Sequence, residues 1–192
     1  MAIEFELKFR ATRAIQDQLL ESLPQGREIA MHTTYYDTPS GALSARYYTL
    51  RRRLENGVSV CTLKAPAEGG GRGEWELENP DIETAIEKLC KLGGPTDLPT
   101  LTAEGLRAVC GAKFTRTACL VTLPECTVEV ALDRGILYGG DREIPLCEVE
   151  VELKEGSREA CSLYAKLLAA RFALEPETGS KFRRDLALLQ GE

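Results

Sequence analysis

Polar and apolar residues alternate with period two in several stretches of the chain, the pattern of strands that turn one apolar face to a core. Ile3, Phe5, Leu7 and Phe9 alternate with Glu4, Glu6, Lys8 and Arg10, and Trp75 and Leu77 with Glu74, Glu76 and Glu78. Val128, Val130 and Leu132 alternate with Glu129, Ala131 and Asp133, and Cys147, Val149, Val151 and Leu153 with Glu148, Glu150, Glu152 and Lys154. Further strands are expected near 31–37, 47–55, 58–64 and 114–123, which makes about eight. Helical spacing appears in Ile15, Leu19, Leu20 and Leu23 after the N-cap candidate Thr12, and Pro24 stops that run. Ile82, Ala85, Ile86 and Leu89 follow Asp81 in the same way and end at Gly93-Gly94-Pro95. Ser157 is placed to cap a helix carrying Cys161, Tyr164, Leu167 and Leu168, and a short helix with Phe182, Leu186 and Leu189 closes the chain. Residues 66–73, with Gly69-Gly70-Gly71, read as a connector between two strands, too short to divide domains. The reading is one α+β domain over 1–192 with a largely antiparallel sheet.

Composition narrows what this domain can do. Hydrophobic residues make up 43% of the 192 and charged residues 28%, a balance that fits a globular chain with one core. No apolar run approaches the roughly 18 residues needed to span a bilayer, and the N-terminus turns charged at Glu4, so no membrane association is expected and a cytoplasmic location is. The single histidine, His32, excludes His-rich metal sites, and no GxSxG elbow accompanies it to build a hydrolase triad. Seven cysteines without a CxxC pair read as reduced core thiols. A net charge of −6 argues against a general grip on nucleic acid, so any polyanion must be met by a local basic cluster.

Such a cluster is visible in the polar faces of the strands. Solvated faces normally mix signs of charge, but here the signs are sorted. One set is acidic: Glu4 and Glu6; Glu74, Glu76 and Glu78; Glu148, Glu150 and Glu152; and Asp133 alone. The other is basic: Lys8, Arg51 and Arg53 at spacing two, Lys64 and Arg116. Three glutamates at i, i+2, i+4 stand about 7 Å apart along one face and repel unless cations lie opposite. If about eight strands close into a barrel, the charged faces converge on an interior and the apolar faces pack outward against helices. Carboxylates are the hard-oxygen ligands of Mg²⁺ or Mn²⁺, and guanidinium and ammonium groups suit phosphate oxygens, so such a lumen describes a metal-phosphate site.

At this point the motifs resemble a known family. Glu4-Phe5-Glu6-Leu7-Lys8 resembles the ExExK signature of the CYTH superfamily, the triphosphate tunnel metalloenzymes. Tyr35-Tyr36-Asp37-Thr38, Leu50-Arg51-Arg52-Arg53, Thr62-Leu63-Lys64 and Glu74-Trp75-Glu76 resemble its later strand motifs in order, and Arg116, Asp133, the Glu148 to Glu152 ladder and Ser180-Lys181 complete the set. The resemblance covers nearly the whole chain and implies an eight-stranded antiparallel β-barrel, a triphosphate tunnel with helices packed outside. In the branch it looks most like, bacterial inorganic triphosphatases, a helical CHAD domain often follows. The chain stops just after the CYTH part, either as a stand-alone form or with such a domain removed; a homodimer is left open, since the sequence does not give the oligomeric state.

Carried over residue by residue, the resemblance implies that Glu4, Glu6 and Glu150 or Glu152 hold a metal bridging the phosphates, and that Glu74 or Glu76 helps with a second metal or positions water. Glu148 belongs to the same acidic ladder, and Asp133 either touches metal or orients an arginine. Lys8, Arg51, Arg53, Lys64, Arg116 and Lys181 would contact phosphate oxygens. Arg72 is placed to reach the tunnel mouth, Arg52 and Arg183 read as surface charges, and Tyr36 and Trp75 as packing residues. The implied activity is cleavage of inorganic triphosphate to pyrophosphate and phosphate with Mg²⁺ or Mn²⁺. A class IV adenylyl cyclase or a thiamine-triphosphatase would need an apolar or aromatic pocket at the mouth, for which Tyr35, Tyr36, Tyr47 and Tyr48 are the few candidates. A non-catalytic polyphosphate-binding module is the remaining alternative.

Overall fold

A computed structural model describes residues 5–66 and 71–190. Fifteen elements follow one another: β1 (Glu6–Arg10), α1 (Arg13–Ser22), β2 (Arg27–Asp37), α2 (Ala42–Ala45), β3 (Thr49–Glu55), β4 (Val58–Pro66), β5 (Arg72–Glu78), α3 (Ile82–Lys91), α4 (Leu98–Leu101), β6 (Arg107–Thr122), β7 (Cys126–Gly139), β8 (Arg142–Gly156), α5 (Arg158–Phe172), β9 (Glu175–Pro176) and α6 (Lys181–Gln190). The N-caps read from the sequence are in place. Thr12, Asp81 and Ser157 accept from the backbone N–H of Ile15, Thr84 and Ala160, which satisfies one otherwise orphaned donor at the start of each helix.

The strands form one antiparallel sheet in the order β5-β4-β3-β2-β6-β7-β8-β1-β9. Its two ends approach each other around a common cavity, because Lys64 of β4 and Arg72 of β5 line the same space as Glu6 and Lys8 of β1. Among the described residues no hydrogen-bonded ladder joins β5 to β9, so the tunnel is a curled, open sheet with a ninth, two-residue strand. This qualifies the eight-stranded barrel that the resemblance implies; the antiparallel α+β architecture stands.

The outer face carries the main cores. Phe9, Val128, Val130, Leu132, Val149 and Val151 pack against Leu19 of α1 and Cys161, Ala165 and Leu168 of α5. Leu50, Cys61, Leu63 and Trp75 pack against Leu43 of α2, Ile82, Ala85, Ile86 and Leu89 of α3 and Leu98 of α4. One helix departs from the expected arrangement. α6 lies on the inner face, where Leu188 packs with Ile29, Met31, Ala112, Phe114, Leu137 and Leu146 and Phe182 sits 4.9 Å from the ring of Tyr35. All seven cysteines are unpaired. No helix among the described residues is long and apolar enough to cross a membrane.

Candidate functional site

Strand register decides which side chains meet, since directly opposed residues share a face. Glu6 opposes Glu152 and Lys8 opposes Glu150; Glu148 opposes Asp133, Glu150 opposes Ala131, and Glu152 opposes Glu129. Asp133 in turn opposes Arg116. Across the other half, Tyr35 and Thr33 oppose Arg51 and Arg53, Arg51 opposes Thr62, and Thr62 and Lys64 oppose Glu76 and Glu74. The residues singled out by charge parity therefore share the inner face. Glu4 lies outside the described residues.

Glu6, Lys8, Arg51, Arg53, Lys64, Arg116, Glu150 and Lys181 line one cavity of about 90 Å³, with Tyr35, Thr49, Arg72, Ser180 and Phe182 completing the wall. It shares walls with two larger spaces. Toward one rim, Arg51, Arg53 and Arg116 also border a space of about 380 Å³ lined by Glu74, Glu76, Glu129 and Glu152. Toward the other, Thr49, Arg72, Ser180 and Phe182 border a vestibule of about 390 Å³ with Tyr47, Tyr48, Pro66 and Leu186. Arg72 Nη2 donates there to the Tyr47 carbonyl at 3.2 Å, Thr49 Oγ1 at 2.8 Å and the Lys64 carbonyl at 3.2 Å.

Asp133 and Glu148 sit at the base of the inner face, fully buried, with Glu150 beside them. Lys181 Nζ lies 2.8 Å from Asp133 and 2.7 Å from Glu150 and also contacts Glu148. Arg116 holds Asp133 bidentately at 2.8 Å through both bonds and pairs with Glu150, while Arg184 pairs with Glu148. From the outside, Gln16 of α1 donates to the carbonyls of Asp133 (3.2 Å) and Glu148 (2.8 Å), pinning the two strands behind the cluster.

The charges on these groups follow from their surroundings. Burial opposes the charge on Lys181, but Asp133, Glu150 and Glu148 outweigh it and hold the ammonium above its usual range. Lys8 is raised likewise, with Glu150 and Glu6 outweighing burial. Burial raises Glu148 to about 7 against the pull of Lys181. Glu150 goes the other way, because Lys181 and Arg116 overcome its burial. Burial beside Arg51 lowers Arg53 to about 10, which leaves it cationic at neutral pH; its Nε donates to Thr33 Oγ1 at 3.0 Å.

Asp133, Glu148 and Glu150 place carboxylate oxygens within 4.8 Å of one another, an all-oxygen set able to bind a divalent cation. The Lys181 ammonium takes the centre of that set in this structure. The rim carboxylates are more open. Glu76 accepts from Thr62 Oγ1 at 2.9 Å and lies 3.9 Å from Arg51, Glu74 lies 3.4 Å from Lys64, and Glu152 lies 2.8 Å from Lys154.

Other expected residues fall elsewhere. Tyr36 and Trp75 pack in the outer core, Arg52 donates to Ser59 on the outer face, and Arg183 is exposed at the edge of the vestibule. His32 is exposed on the outer face, 3.3 Å from the Tyr138 hydroxyl and away from the cavity. Sequence reasoning missed Arg184, Asp185 and Gln16; the spacing of Arg184 three residues after Lys181 was the available signal for the first.

Three kinds of comparison agree with this geometry. An inorganic triphosphatase from Haemophilus influenzae is 29% identical over 199 residues, covering 98% of this chain and 55% of that protein. The chain thus spans about half the length of this curated relative. Among solved structures, the PH1819 protein of Pyrococcus horikoshii superposes with a TM-score of 0.63 at 22% identity, covering 98% of this chain and 99% of that one. HpAC1 of Hippeastrum, whose structure is described as revealing a dominant triphosphatase activity, superposes with a TM-score of 0.65 at 18% identity, covering 98% and 95%. The CYTH domain model matches residues 2–185, and the chain, with its charged inner face on a curled antiparallel sheet, belongs to the CYTH domain family.

Proposed function

We propose that the protein hydrolyses inorganic triphosphate to pyrophosphate and phosphate in the cavity, with Mg²⁺ or Mn²⁺. The observation that carries this reading is the convergence of Lys8, Arg51, Arg53, Lys64, Arg116 and Lys181 on one narrow cavity next to an acidic rim. A small polyanion can saturate such a wall, and phosphoryl transfer needs mainly positioning and charge neutralisation, without a covalent nucleophile. Similarity to an inorganic triphosphatase supports the substrate class.

The donor chemistry of the rim fits a hard divalent cation. Glu6 and Glu152, cross-strand partners, would hold it with Glu4, and Glu74 and Glu76 would serve a second. Bound there, the cation supplies charge neutralisation at phosphate oxygens. The chain's own groups do the rest. Lys8, Arg51, Arg53, Lys64, Arg116 and Lys181 bind the phosphate oxygens and orient the terminal group. Glu76 holds a water and takes its proton as the oxygen attacks the terminal phosphorus in line. The bond from that phosphorus to the bridging oxygen breaks, and its electron pair leaves on pyrophosphate, whose charge the arginines offset.

A second reading is favoured by the vestibule, where Tyr47, Tyr48, Pro66, Phe182 and Leu186 give an apolar surface beside the phosphate cavity. It would suit a triphosphate carrying an organic group, as in a nucleotide or thiamine triphosphate. Phosphate release from triphosphate, ATP, thiamine triphosphate and longer polyphosphate, with and without Mg²⁺ or Mn²⁺, separates the two. The first reading expects the highest kcat/KM on triphosphate, dependence on metal, and no cyclic AMP from ATP. A higher kcat/KM on an organic triphosphate would favour the second, and no release from any substrate would leave a binding module.

A further inference from the structure

We propose that Arg184 is a positioning residue that holds the Lys181 ammonium in the tunnel; this rests on the reading of Lys181 as a phosphate ligand. Both side chains rise from one face of α6, three residues apart, and reach the same buried group. That group is Glu148, whose two oxygens are divided between them: Lys181 contacts Oε1 and Arg184 contacts Oε2. The cluster holds three carboxylates, Asp133, Glu148 and Glu150, against three cations, Lys181, Arg116 and Arg184. Arg116 is committed to Asp133 and Glu150, so among the described residues Arg184 is the cation that balances the outer oxygen of Glu148.

The consequence is geometric. With Arg184 in place, Lys181 is shared among three carboxylates and stays central, beside the cavity it lines. Without it, a fully buried Glu148 would hold Lys181 as its one counter-ion and draw the ammonium off centre, because an unpaired buried charge is costly. Arg184 also anchors the entry to its own helix. Its Nη1 lies 3.5 Å from Glu177, whose Oε1 accepts from Gly179 N–H at 2.8 Å and whose backbone N–H donates to the Lys8 carbonyl at 2.8 Å. One guanidinium thus ties the start of α6 to β1 and the cluster beneath it.

The test compares Arg184→Gln and Arg184→Lys with the parent chain and with Lys181→Met. In isotope-labelled protein, the ammonium resonance lost in Lys181→Met identifies Lys181. We expect it sharp and exchange-protected in the parent and in Arg184→Lys, and broadened or lost in Arg184→Gln. For triphosphate, kcat/KM in Arg184→Gln should fall about tenfold, mainly through KM, and recover in part in Arg184→Lys. A protected resonance with near-parent kcat/KM in Arg184→Gln overturns the proposal. Should Arg184→Gln fail to fold by circular dichroism, Arg184→Lys carries the test: partial retention of KM and resonance supports positioning, and complete loss of both in a folded protein overturns it. If the parent releases no phosphate from triphosphate, the functional reading fails, and the resonance alone still decides the role of Arg184.

Discussion

Two acidic regions share the inner face and the same residue types, yet their charges are met in opposite ways. Glu148 and Glu152 stand on one face of β8, four residues or about 13 Å apart. At the base, Glu148, Glu150 and Asp133 are buried and matched by fixed cations from β6 and α6. At the rim, Glu76, Glu129 and Glu152 keep side-chain exposures of 49%, 24% and 26%; Arg51 and Lys154 stand 3.9 Å from Glu76 and Glu129, and Lys154, itself half-exposed, lies 2.8 Å from Glu152. Depth explains the difference. A buried carboxylate without a partner costs several kcal/mol, so the protein must supply fixed counter-charges at the base, whereas at the rim partly exposed Lys and Arg side chains pair loosely and can yield to a solute cation.

The largest test of that contrast is Lys181→Met, which leaves three buried carboxylates with two cations. It should cost about 3–5 kcal/mol of stability by urea denaturation, beyond any loss of activity. Glu152→Gln should change stability by less than about 0.5 kcal/mol while phosphate release falls about 100-fold, and Glu6→Gln should behave likewise with its circular dichroism unchanged. Equal destabilisation by rim and base variants would erase the distinction. Removing the clamp behind the base, Gln16→Ala, should cost about 1–3 kcal/mol because two buried strand carbonyls lose the donating amide and Arg134 Nε loses its acceptor, while Arg134 keeps Asp17.

A separate effect concerns pH. Asp185 of α6 is fully buried with no hydrogen-bond partner for either oxygen among the described residues, and burial raises its carboxyl from 3.8 to about 8. The folded chain therefore keeps a proton that the unfolded chain releases, so this group's contribution falls as pH rises from about 4 to 8 and is level above that. Asp185→Asn should flatten the decline of Tm between pH 5 and 8 and raise Tm at pH 8. An unchanged slope would show that Asp185 is not the group responsible.

Much of this arrangement was legible because strand parity has a fixed period. The inner face could be read from Glu6-x-Lys8, Arg51-x-Arg53 and Glu148-x-Glu150-x-Glu152 before any pairing was known, and register then brought them together. α3 was equally readable, since Ile82, Ala85, Ile86 and Leu89 are all buried as their spacing requires. α6 was not. Its apolar residues Phe182, Leu186 and Leu189 suggested the buried stripe, but the buried positions are Lys181, Asp185 and Leu188, and Leu189 is exposed. The periodicity rule assumes an apolar neighbour, and this helix packs partly on carboxylates. Gln16 escaped notice for a related reason: its amide serves strand carbonyls that no sequence pattern marks.

Whether the rim holds the divalent cation while the base holds Lys181 is decided by titrating Mn²⁺ by electron paramagnetic resonance into the parent chain and the variants Glu152→Gln and Glu148→Gln. Glu152→Gln should weaken Mn²⁺ binding about tenfold or more while Glu148→Gln leaves it near the parent value. Loss of binding in Glu148→Gln with retention in Glu152→Gln would contradict it and return the metal to the buried cluster.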